Sequence, residues 1–255
     1  MRRLLLLSAS VACLSGCTCG KSPPSPSTID AGMALSQPPP PPVPERAMQL
    51  HMEGRRHGEA GAFAQALQSF QQARELAPHW PLPLYDVGLT YLYMKDEARA
   101  LEAYEQLAAL APQGVSDSQR MLDSLRREKD GRVPAGTLRE FLEVMQLKDL
   151  PELQRRLEAL TKKAPAFVPA WDELARFASE QPQEAERLLA QALALEPDPG
   201  TRAGLLVYKA TLLRRKGESA AARKLLEAVR DDASTPPSTA AEARELLSIP
   251  DNVVP

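Results

Sequence analysis

Apolar residues recur at helical spacing through most of the chain after residue 45. In "AFAQALQSFQQARELAP" they fall three and four positions apart with polar residues between them, the pattern of a helix with one buried face. The same rhythm returns in "EARALEAYEQLAALAP", "PELQRRLEALTKKAP", "EAERLLAQALALEP" and "AAARKLLEAVRDD". The first four of these end on Pro78, Pro112, Pro165 and Pro197. Proline stops a helix because it has no N–H to donate and its ring disfavours a helical residue before it. A further helix opens at a Ser116 or Asp117 cap and is broken by Gly131 and Pro134, and a last short one spans about Ser238 to Ser248. The pattern predicts an all-α chain.

Two stretches repeat each other. Aligning "MEGRRHGEAGAFAQALQSFQQARELAP" with "DVGLTYLYMKDEARALEAYEQLAALAP" sets Gly54 over Gly88, Ala66 over Ala100, Phe70 over Tyr104 and Pro78 over Pro112, each pair 34 residues apart. The period and residue types resemble the tetratricopeptide repeat (TPR), a helix-turn-helix unit that is stable only when stacked on its neighbours. The resemblance implies a helical-hairpin superhelix, an α-solenoid, in which Gly54, Gly88, Ala66 and Ala100 mark close helix crossings and Phe70 and Tyr104 fill the gaps between units. A larger side chain at such a crossing would overpack it, at about 1–3 kcal/mol.

The later chain echoes this less cleanly. "WDELARFASEQPQEAERLLAQALALEP" sets Trp171, Leu174 and Ala175 ahead of Ala185, Leu189 and Ala192, with a loop about two residues short of the family spacing, and "ATLLRRKGESAAARKLLEAVRDD" supplies Ala210, Gly217, Ala222 and Leu226. Residues 134–165 have helical periodicity but large residues where small ones are expected, with Phe141 at the place of Gly54 and Gly88. That block reads either as a degenerate repeat or as an unrelated hairpin. The expected organisation is residues 45–130 as two repeats with a capping helix, then residues 131–250 as degenerate repeats and a C-terminal helix, with a hinge near 130–136.

The first 44 residues follow other rules. Arg2 and Arg3 precede an apolar stretch from Leu4 to about Ser15, too short for the roughly 20 residues that span a bilayer and shaped like an export signal. Leu14-Ser15-Gly16-Cys17 resembles the lipobox of bacterial lipoproteins. The resemblance implies that residues 1–16 are removed and that Cys17 becomes the lipidated first residue. It would carry enough acyl chains for a stable membrane anchor. Thr18, in place of the Asp that commonly retains such proteins at the inner membrane, points to the periplasmic face of the outer membrane. Residues 17–44 then hold nine prolines between Pro23 and Pro44 and almost no large apolar residues, the composition of a disordered Pro-rich linker. Extended, it would reach on the order of 80 Å.

Charge and chemistry narrow the functional classes. The full chain carries 31 Lys and Arg against 33 Asp and Glu, and loss of Arg2 and Arg3 with the signal leaves 29 against 33, a net charge of −4. No basic stretch suggests phosphate contacts, so nucleic acid is not an expected partner. Cys13 leaves with the signal and Cys17 would be acylated, which leaves Cys19 as an inert thiol or a site for an intermolecular bridge. Of the three histidines, His51, His57 and His79, the first two are six residues apart and fall on different helical faces, so no shared metal is expected, and no nucleophile elbow, phosphate loop, metal pair or zinc-like cysteine spacing occurs in the mature chain. The chain reads as a non-enzyme without cofactors.

Repeat stacks of this family grip peptides or partner helices on the inner face of the first helix of each unit. Carried onto this chain, that face comprises Met48, His51 and Arg55 in the first unit and Leu82, Tyr85, Leu89 and Leu92 in the second. It is either an apolar groove for a protein or peptide partner or a wall covered by the chain's own helices. The whole resembles, in layout, helical-repeat lipoproteins such as the pilotins that help secretin pores assemble. The expectation is a membrane-anchored interaction scaffold or assembly factor for a cell-envelope complex. The alternative is a regulator of a periplasmic cell-wall enzyme.

Overall fold

The structure, a computed structural model, describes residues 41–250. The expected export signal, Cys17, Cys19 and the expected linker up to residue 40 lie outside the described residues. Within them the chain forms twelve α-helices and no strand. These are α1 (Glu45–Glu59), α2 (Phe63–Leu76), α3 (Leu82–Tyr93), α4 (Glu97–Leu110), α5 (Ser118–Lys129), α6 (Thr137–Val144), α7 (Leu150–Lys163), α8 (Val168–Phe177), α9 (Pro182–Ala194), α10 (Pro199–Arg215), α11 (Ser219–Asp231) and α12 (Pro237–Ser248). The fold is an all-α stack of helical hairpins. Helices α1–α2, α3–α4, α8–α9 and α10–α11 pair most extensively, and α12 closes the stack on α11 and α10.

Local chemistry sets the boundaries. Helices α2, α4, α7 and α9 stop one to three residues before Pro78, Pro112, Pro165 and Pro197. Proline also opens α9, α10 and α12 in the first turn, where its missing N–H has no helical partner to lose. Asp96 and Asp198 cap α4 and α10 by accepting from the backbone N–H of Arg99 and Thr201, both at 3.0 Å. Gly61 turns the first hairpin at φ +74°, a conformation that costs glycine little.

The crossings in the first two hairpins are as tight as the repeat pattern requires. A Cβ on Gly54 would lie 2.4 Å from Phe70 Cε1, and one on Gly88 would lie 2.7 Å from Tyr104 Cε2. Phe70 and Tyr104 are almost completely buried on those glycine surfaces, and Ala66 and Ala100 are fully buried beside them. The middle block solves the same problem differently. Helix α6 has only 8 residues, and Phe141 packs edge-to-face on Phe167 with ring centroids 5.4 Å apart. A large residue there is filled against another aromatic instead of against a bare backbone.

In place of a hinge near 130–136, the structure has a stapled turn. The Glu128 carboxylate accepts from the N–H groups of Gly136 (2.7 Å) and Leu138 (2.6 Å), tying the end of α5 to the start of α6. Arg127, 4% exposed, donates to the carbonyls of Leu195 (3.0 Å) and Glu196 (2.8 Å) at the end of α9, and pairs with Asp123 at 2.7 Å. One buried cluster runs from Ala66 to Leu212 without a break at residue 130. A second, smaller cluster joins α10, α11 and α12.

Candidate peptide-binding groove

Helices α1 and α3 lie side by side, each the first helix of its hairpin, and their register is set by one buried contact. His51 Nε2 and Asp86 Oδ2 are 2.6 Å apart, with the imidazole packed between Trp80 (4.8 Å) and Phe70 (5.6 Å). On α1 the exposed residues Met48, Met52, Arg55 and Glu59 recur at helical spacing along one face. On α3 the corresponding row is Leu82, Asp86, Leu89 and Tyr93. Four large apolar side chains in these rows are exposed: Met52 at 65%, Tyr93 at 49%, Met48 at 42% and Leu82 at 36%. Between the rows, toward the ends of α1 and α3, opens a cavity of about 500 Å³. Phe63 and Tyr93, stacked with centroids 6.4 Å apart and planes 3° from parallel, both line it, as do Arg55, Glu59, Asp86 and Leu89.

The residues expected on this wall divide into two groups. Met48, Arg55, Leu82 and Leu89 are at least partly exposed along the rows just described. The other three are taken up by the protein itself. His51 is 7% exposed and forms the floor with Asp86. Tyr85 is half-buried and donates its phenol to Asp117 Oδ1 at 2.6 Å, at the entrance to α5; burial, then the Asp117 carboxylate, hold its pKa above the ordinary tyrosine value. Leu92 is fully buried in the core and offers a partner nothing. The correction is one of helical phase: Asp86 and Tyr93 stand where Tyr85 and Leu92 were expected.

That phase was hard to read because "LPLYDVGLTYLY" is apolar almost all round, and hydrophobicity alone marks no single buried face. The signal that identifies it is Gly88. Its bare surface must meet Tyr104, which turns Leu84 and Leu92 inward and Leu82, Leu89 and Tyr93 out. Met52, Glu59, Phe63 and Asp86 were not anticipated.

Past the second hairpin the corresponding faces are closed by the chain itself. Helix α5 packs on α4, α6 and α10. Arg120 on α5 reaches Asp117 (2.8 Å) and Glu173 on α8 (3.7 Å). Met121, Leu122 and Leu125 are buried in the shared core with Leu205 and Leu212 of α10. Tyr208 of α10 donates to the Ala175 carbonyl of α8 at 2.9 Å while the Arg176 guanidinium lies 5.1 Å above its ring. Both readings of the inner wall are therefore realised, in different halves.

Among the described residues, no group of three or more His, Cys, Asp or Glu side chains could hold a metal ion. No helix among them is long and apolar enough to cross a membrane.

No protein-family model and no curated protein sequence matches the chain. Several solved structures are similar to the chain. MamA 41-end from Desulfovibrio magneticus RS-1 is similar at 17% identity over 82% of this chain and 100% of that one, with a TM-score of 0.33. The TPR2AB domain of yeast Sti1, in complex with an HSP90 peptide, is similar at 17% identity, 79% and 96% coverage and a TM-score of 0.38. PilW, a type IV pilus biogenesis factor, is similar at 16% identity, 75% and 97% coverage and a TM-score of 0.33.

Proposed function

We propose that this chain is a non-catalytic scaffold or assembly factor of the bacterial cell envelope, held to a membrane by lipid on Cys17, that grips a protein partner in the groove between α1 and α3. One observation carries the reading: four large apolar side chains stand exposed along two neighbouring helices beside a cavity that Phe63, Leu89 and Tyr93 line together with charged residues, a surface larger than isolated exposed residues would make. A groove of that kind accommodates an apolar peptide or one face of a helix. The Leu14-to-Cys17 motif supports the anchor, and the proline-rich stretch behind it supports a spacer between membrane and groove.

The two parts are tested separately. A photo-reactive amino acid at position 93 in living cells should give a discrete adduct that Leu89→Glu removes, whereas the same probe at Leu150, exposed on α7 at 55%, should not. Equal labelling at both positions would sink the groove. Cys17→Ser should release the chain from the membrane fraction, and an unchanged distribution would sink the anchor.

A further inference from the structure

Resting on the groove reading above, we propose that the cavity between α1 and α3 selects a basic side chain, lysine or arginine, carried on an otherwise apolar segment of the partner. Its acids are under-compensated. Asp86 contributes one oxygen to His51, while Oδ1 has no hydrogen bond among the described residues and the side chain keeps 15% of its surface. Glu59, at the rim, has no ion pair among the described residues. Against these two carboxylates the cavity sets one cation, Arg55, one helical turn from Glu59. The surroundings lean the same way: residues 45–113 hold nine Asp and Glu against six Lys and Arg.

The apolar part of the lining suits the same occupant. Phe63 and Tyr93 offer aromatic rings beside the carboxylates, and a cation near such rings is attracted to their negative faces, the more so where water is thinned out. A long basic side chain also has an apolar stem, which Leu89 and the rings can cover while its head reaches Asp86 or Glu59. An acidic side chain would find a single cation in the lining, Arg55, opposed by both carboxylates, with the Gln146 amide as a neutral donor.

The test is selection from a random dodecapeptide library displayed on phage, against the full chain. Enriched peptides should share a lysine or arginine flanked by aliphatic residues. In synthetic form, replacing that residue by norleucine should weaken binding about tenfold, as expected for loss of one charge-assisted contact. Glu59→Gln, an exposed position that should not disturb folding, should weaken the lysine peptide and leave the norleucine peptide unchanged, and Arg55→Ala should tighten the lysine peptide. Apolar peptides without a shared basic residue, or peptides enriched in acids, would overturn the proposal while leaving the groove intact. Peptides whose binding ignores both Glu59→Gln and Tyr93→Ala would overturn the groove as well.

Discussion

The first two hairpins and the block that follows them solve one packing problem with opposite means, and the difference decides where a partner can sit. In α1–α4, glycine lets an aromatic ring lie on bare backbone, and the first helices are left with an outward row of Met, Leu and Tyr side chains. In α6–α7 a large residue, Phe141, fills the crossing, and through α5–α10 a fifth helix lies against the later first helices, with Arg120, Arg127 and Tyr208 bonded across the contacts. Substituting bulk at the crossing coincides here with a shortened α6 and a core that turns inward on itself. A small-residue crossing leaves the first helix free only where no later helix covers it: α8–α9 buries Ala175 and Ala185 fully, yet α8 is held by Arg120 and Tyr208.

Several substitutions would break or sharpen that contrast. The largest effect is expected from Phe141→Ala, which empties a fully buried site against Phe167 and should cost about 3–5 kcal/mol in urea unfolding. A cost near zero would mean that the middle block is only a connector. Gly88→Ala should cost about 1–3 kcal/mol, because the added methyl meets a ring that is itself buried and has nowhere to go. Tolerance there would remove the physical basis of the 34-residue pattern.

The inward-turned half also carries a pH signature. Burial, then the neighbouring Asp172 carboxylate, raise the pKa of Glu173; burial likewise raises those of Asp123 and Glu128, against the hydrogen bonds they accept. A carboxyl with a raised folded pKa binds its proton more tightly folded than unfolded. Stability therefore falls as pH rises from the ordinary carboxylate range through the raised value. The melting temperature should be higher at about pH 5 than at neutrality, and Glu173→Gln should flatten the slope. A steeper fall in Glu173→Gln would contradict the assignment. Smallest of all is the stability effect of Tyr93→Ala. It should change unfolding free energy by less than about 0.5 kcal/mol, as for surface positions in general, while abolishing partner binding. A large loss of stability would place Tyr93 in the core and not on the groove.

The composition of "LPLYDVGLTYLY" shows where legibility stops. The existence of α3 and its tight crossing at Gly88 were both readable, because the 34-residue echo and the missing side chain point the same way. Which of its apolar residues faces outward was not legible from hydrophobicity, since a helix apolar on nearly every side shows no single buried face; the one clue to the phase is the place of Gly88 against Tyr104. The tie from Glu128 to α6 was equally hidden, for an acid on a helix surface gives no sign of a backbone turn it will meet 8 residues later.

By itself the sequence determined the all-α class, the helix stops at the prolines and the close approach of paired helices at Gly54 and Gly88, all of which are consequences of local sterics and of spacing along one chain. Only the tertiary structure decided which wall stays open. That choice depends on α5, whose contacts with α8 and α10 join residues far apart in the chain, and on the His51–Asp86 pair that fixes the register of α1 against α3. Such contacts balance burial against the entropy of closing long loops, a sum that no short stretch of sequence contains.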